Sequence, residues 1–202
     1  MQLFLNATSP FARVARVAAL HHQLQTQLQL VWCDPWSNDP ALLAVHPQAR
    51  IPVLVTPGGQ AISESLLIAQ YLDHIGHGMP LLPTADIAAL LARTSEAYGL
   101  MEAAFNVVIA RKNEGADAAD ASVMGQRRLA AITRVLQQWL ASPPPAPTNA
   151  LTLADITAAV ALDYVRFRLP ALLEPAAYQP LQHWLAHAHA THAHLHSTRF
   201  GS

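Results

Sequence analysis

The sequence predicts an α/β N-terminal part over residues 1–77, a linker over 78–84 and an all-α C-terminal part over 85–202. Three observations carry this. Short β-type runs alternate with helical patterns in the first 76 residues, no strand-like run follows, and GHGMPLLP (Gly76 to Pro83) brings two glycines and two prolines without helical periodicity.

Taken in order, Gln2 to Leu5 reads as a short strand. Thr8-Ser9-Pro10 then starts a helix reaching about His22, with Ser9 as N-cap and Pro10, which has no amide to lose, at the first helical position. Leu28 to Cys33 is the second strand. A loop of turn formers (Asp34-Pro35-Trp36-Ser37-Asn38-Asp39-Pro40) leads to a short helix near Ala41 to Val45. Ile51 to Val55 is β-rich, and the turn Pro57-Gly58-Gly59 returns the chain into Gln60 to Ile62. Ser63-Glu64-Ser65 opens a helix to about Ile75. Further helices are expected near Ala85 to Asn113, Asp120 to Ala141, Leu153 to Arg168 and Pro180 to about His194, with SPPPAPTN (142–149) a loop because proline breaks helices. Thr152 and Asp155 have capping-box spacing, with Leu151 and Ile156 placed as the hydrophobic staple.

Composition narrows the function classes. The 202 residues are 52% apolar and 12% charged, with 12 basic and 13 acidic side chains and a net charge of -1. A chain of this size buries its own core, which argues against disorder. With Lys112 its single lysine, it offers no basic face for nucleic acid. No uncharged apolar stretch reaches the ~20 residues that span a bilayer, because Gln, His and Pro interrupt the longest ones. Met1 leads straight into a strand-like run without a basic leader, and the lone Cys33 permits no internal disulfide; both fit a reducing, cytoplasmic setting. Cys33 is expected to be a buried strand-end residue.

Three motifs in order, Ser9-Pro10-Phe11-Ala12-Arg13, Arg50-Ile51-Pro52-Val53-Leu54-Val55 and Ser63-Glu64-Ser65 with the helix after it, resemble the glutathione S-transferase superfamily, its bacterial and tau-like serine members most of all. The resemblance implies a thioredoxin-like N-terminal domain, an all-helical C-terminal domain and a cytoplasmic homodimer. It also implies reduced glutathione as cosubstrate, an apolar electrophile as second substrate, a role in detoxification, and no metal.

It further assigns roles. Cys-Pro-x-Cys of thiol-disulfide relatives is replaced by Ser9-Pro10-Phe11-Ala12, which excludes dithiol exchange there. Ser9 would be the catalytic hydroxyl, donating to the glutathione thiolate at a helix N-terminus. Ile51-Pro52 would be a cis bond, with the Ile51 main chain pairing with the cysteinyl part of glutathione. Arg50 would face the glycine carboxylate. Ser65, with the backbone amides that open its helix, would hold the γ-glutamyl carboxylate, and Glu64 would meet the α-ammonium group. Phe11, Trp36, Tyr98, Met101, Phe105, Tyr164 and Phe167 are the apolar candidates for the electrophile, although aromatic residues at helical spacing more often pack in the core.

Two rivals use the same residues: glutathione-dependent isomerisation or dehalogenation, and a non-catalytic binding protein of the same fold. A third reading uses the six histidines between His183 and His196, whose i, i+4 pairs (His183 with His187, His192 with His196) could share a helix face and hold a metal. No Cys or carboxylate lies beside them in sequence.

Overall fold

The computed structural model describes residues 1–201, which divide into two compact units, Met1–Thr84 and Ala85–Gly201. The first unit runs β1 (Gln2–Leu5), α1 (Pro10–His21), β2 (Gln29–Trp32), α2 (Pro40–Val45), β3 (Val53–Val55), β4 (Ala61–Ser63) and α3 (Ser65–Ile75). Its sheet has the order β2-β1-β3-β4, with β1 and β2 parallel and the other pairs antiparallel.

The apolar face of α1 (Val14, Val17, Ala18), the inner residues of α3 (Ile68, Leu72) and the sheet (Leu3, Leu5, Leu54) are buried to 2% exposure or less and form the core. The strand expected from Ile51 begins at Val53, two residues later, because Pro52 has no N–H for the ladder. The strand expected from Gln60 begins at Ala61, since Gln60 belongs to the turn: its amide donates to Thr56 Oγ1 (3.1 Å), which donates in turn to Gln60 Oε1 (2.6 Å).

The segment after α3 is fastened to the end of α1. The Gly78 amide donates to His22 Nδ1 (3.2 Å), His22 Nε2 lies 3.0 Å from Asp73 Oδ1, and the same Oδ1 accepts the Leu81 amide (2.6 Å). His21 Nε2 lies 2.7 Å from the Met79 carbonyl. Gly76 sits so close that a Cβ there would stand 2.3 Å from that of His22.

The second unit is helical: α4 (Ile87–Glu114), α5 (Ala116–Ala121), α6 (Val123–Ala141), α7 (Leu153–Arg168), α8 (Gln179–Thr191) and α9 (Ala193–Ser197), with two 3-10 turns between α7 and α8. The helix expected from Asp120 to Ala141 starts at Val123 instead, and α5 precedes it. Ser122 makes the break: its Oγ accepts the Gly125 amide (2.9 Å) and donates to the Ala119 carbonyl (2.7 Å). Gly125 fits because a Cβ there would meet the Ala119 carbonyl oxygen at 1.9 Å. The helix expected to reach His194 breaks at His192, whose extended φ and ψ separate α8 from α9. α7 is buried along nearly its whole length, and its capping box and staple form as expected, with Leu151 and Ile156 both buried. The proline loop after α6 is held by α8, where Trp184 Nε1 donates to the Pro145 carbonyl (3.1 Å). No helix among the described residues is long and apolar enough to cross a membrane.

Candidate functional site

Strand directions decide where the sequence motifs meet. β1 ends at Leu5 and hands the chain to Ser9 and α1. β3 runs the other way, so its first residue, Val53, pairs with Phe4, and β4 reverses again, so its last residue, Ser63, pairs with Val53. The start of α1, the Ile51-Pro52 bond and the start of α3 thereby converge at one end of the sheet.

Ser9 is the N-cap of α1: its Oγ accepts the Ala12 amide (3.1 Å) and its carbonyl accepts the Arg13 amide (3.1 Å). The residue is 7% exposed, just accessible from outside. One accepted bond on Oγ leaves its proton free to be donated to a third party. Ahead of it, Asn6 Oδ1 accepts the amides of Ser9 (2.8 Å) and Thr8 (3.2 Å), a role the sequence reading missed although Asn before a helix start is a turn signal.

Ile51-Pro52 is cis, as the motif implies. The Ile51 side chain packs against the cluster of Phe4, Leu42 and Val53, which anchors its backbone at the sheet end. Arg50 and Glu64, read from the sequence as separate anchors, face each other, with Arg50 Nη1 3.2 Å from Glu64 Oε1 and both largely exposed. Such a pair contributes less than ~1 kcal/mol in water, so parting it for a charged ligand costs little. Glu64 has φ 67° and ψ 117°, a left-handed backbone that a non-glycine residue adopts only under constraint. Ser65, first residue of α3, is wholly buried.

Cys33 reaches the same end of the sheet, because β2 runs parallel to β1. Cys33 lies one residue beyond β2 and is half-buried, with its amide on the Leu5 carbonyl (3.0 Å). Burial, then the charge of Asp39, push its thiol pKa up, away from reactivity. In the helical unit, Met101 and Tyr164 are core residues, burial pushes the Tyr164 hydroxyl up to about 12, and Phe200 stacks on Phe167 (centroids 5.3 Å) and meets Tyr164 edge-on. Among the histidines, the fold supplies a carboxylate that the local sequence lacks: His189 Nε2 lies 2.8 Å from Oδ2 of buried Asp163, whose Oδ1 accepts from Arg166 Nη2 (2.6 Å). No group of three His, Cys, Asp or Glu side chains among the described residues is arranged to hold a metal ion. A cleft of about 320 Å³ beside Arg93, Glu96 and Trp139 belongs to the helical unit and contains none of the sequence-predicted site residues.

A mixed sheet of this order, with a helix start and a cis-proline at one end, defines a thioredoxin-like domain, here followed by a helical one. Comparison with known proteins agrees. Residues 8–75 match the family model described as glutathione S-transferase, N-terminal domain. An uncharacterized GST-like protein of Escherichia coli K12, YibF, is 27% identical over 171 residues, 83% of each chain. A glutathione transferase family member from Pseudomonas fluorescens Pf-5, solved with bound glutathione, is 25% identical and superposes with a TM-score of 0.88 over 100% of this chain and 99% of that one. A glutathione S-transferase from Methylobacterium radiotolerans in complex with glutathione sulfonate shares the fold at 23% identity and a TM-score of 0.84, over 100% of this chain and 95% of that one. The first unit thus matches the N-terminal domain of glutathione S-transferases, and the chain as a whole shares the fold of the solved glutathione transferases.

Proposed function

We propose that the protein is a glutathione transferase that ionises the glutathione thiol through Ser9 and directs it at an apolar electrophile. The observation that carries this is the Ser9 hydroxyl, held at the α1 N-terminus by the Ala12 amide with its proton still to give. A free thiol has a pKa of about 8.5, and lowering it by about 2 units takes about 2.7 kcal/mol of preference for the thiolate. A hydrogen bond to a charged acceptor contributes about 1.5–3 kcal/mol and a helix N-terminus about 0.3–2. The two together suffice, and Ser9 need not act as a base.

In this reading Arg50 leaves Glu64 for the glycine carboxylate, Glu64 takes the α-ammonium group, and the Ile51 main chain pairs with the cysteinyl unit. Ser65 is assigned to the γ-glutamyl carboxylate; since it is buried, the start of α3 must open slightly for its hydroxyl to reach the ligand. The similar Pseudomonas protein holds glutathione, which supports the cosubstrate. A cytoplasmic homodimer is part of the same proposal.

With a chlorinated dinitrobenzene, the thiolate sulfur forms a bond to the ring carbon and chloride leaves with the bonding electrons. The wild-type protein is expected to be retained on immobilised glutathione and to catalyse this step. Ser9→Ala should be retained nearly as well but conjugate at least about tenfold more slowly, the effect of losing about 1.4 kcal/mol in the transition state. Equal rates for the two proteins would sink the role given to Ser9.

A further inference from the structure

We propose that Asn6 is a positioning residue for Ser9, occupying the two amides just ahead of α1 so that the hydroxyl, rather than those amides, meets the thiolate. This rests on the role given to Ser9 above.

A thiolate arriving at this turn takes whichever donors are open to it. Asn6 Oδ1 already holds the Ser9 amide (2.8 Å) and the Thr8 amide (3.2 Å), Pro10 has no amide, and the Ala12 amide is spent on Ser9 Oγ (3.1 Å). Among these groups the Ser9 O–H is the one that still has a proton to give, and the bond it accepts from Ala12 restricts the directions in which that proton can point.

Asn6 is also the rigid joint between strand and helix. Immediately before it, the Leu5 carbonyl accepts the Cys33 amide (3.0 Å), which fixes the end of β1. The Asn6 side chain carries that fixed position across two residues to Ser9. Because Ser9 is only 7% exposed, a small displacement of the turn is enough to take its hydroxyl out of reach. Asn suits the task because its side chain mimics a turn of backbone while remaining uncharged, whereas an Asp would place a negative charge beside the thiolate.

The test is the pH profile of kcat at saturating glutathione, which reports the thiol within the complex, for wild type, Asn6→Ala, Ser9→Ala and the double variant. Asn6→Ala should move the profile up by about half to one unit and lower kcat several-fold at neutral pH, with KM for glutathione within about twofold. In the Ser9→Ala background the same change should move the profile by less than about 0.2 unit, because the positioned group is gone. If Asn6→Ala does not fold, Asn6→Ser, which keeps one acceptor, is expected to give a smaller shift in the same direction. An unshifted profile in Asn6→Ala, or an equal shift in both backgrounds, overturns the inference while leaving Ser9 its role. An unshifted profile in Ser9→Ala overturns the role of Ser9, and this inference with it.

Discussion

Glu64 holds a backbone conformation its own side chain disfavours, and the cost of such a residue is of order 1–3 kcal/mol. Glycine would relieve it, less the roughly 0.5–1 kcal/mol of chain entropy that glycine adds. Glu64→Gly is therefore expected to stabilise the fold by about 1 kcal/mol in urea unfolding while weakening retention on glutathione. A variant that loses stability would show that the conformation carries no strain. His22 makes a second prediction. It is fully buried and its pKa is lowered, first by burial, then by the neighbouring His21 and His77, against the opposing pull of Asp73. The folded state thus prefers neutral imidazole: the stabilisation is complete above the unfolded value of about 6.5 and is lost as pH falls below it, with a slope of at most about 1.4 kcal/mol per pH unit for one proton. His22→Asn, whose Oδ1 can take the place of Nδ1 as acceptor for Gly78, should flatten that part of the urea-midpoint profile; an unchanged slope contradicts the assignment. Neither effect was legible in the sequence. The backbone angle of Glu64 and the meeting of His22 with Gly78, 56 residues on, depend on how distant segments register.

At the scale of elements, what could be read was what is local. Ser9-Pro10 and Thr152-x-x-Asp155 are self-contained signals, and α1 and α7 begin where those signals put them. The break between α5 and α6 was missed because the chain there is Ala-rich and helical in pattern throughout. Ser122 and Gly125 reveal it only once the Ala119 carbonyl is known to press on Gly125. His189 stands among the six histidines of its segment without a visible partner for the same reason, Asp163 lying 26 residues away. The Thr152 cap satisfies the Asp155 amide (3.3 Å), while Asp155 Oδ2 accepts the Thr152 amide (2.9 Å). Thr152→Ala should cost about 0.5–2 kcal/mol, read from the shift in urea midpoint at constant m. Because α7 is the buried centre of the helical unit, that loss is expected to appear in global unfolding rather than as local fraying; no shift would mean the cap is redundant.

At the scale of the whole molecule, three motifs spread over residues 9–65 become neighbours through the reversal of β3 and β4 against β1. The order of motifs was enough to foresee the fold, since a thioredoxin-like sheet brings them to one end in a single way. It was not enough to foresee that Arg50 and Glu64 meet each other there, because side-chain pairing across an exposed rim is not specified by spacing. In a chain with so few charges, that pair beside a helix start suits a small zwitterionic peptide. In the proposed reaction Ser9 lowers the pKa of the thiol that peptide carries. Ultraviolet titration of the thiolate of glutathione bound to the wild-type and Ser9→Ala proteins tests it directly. A bound thiol is expected about 2 units below the free value of about 8.5 in the wild type and at least about 1 unit higher than that in the variant, where the helix N-terminus alone remains. A bound thiol that titrates alike in both would contradict it.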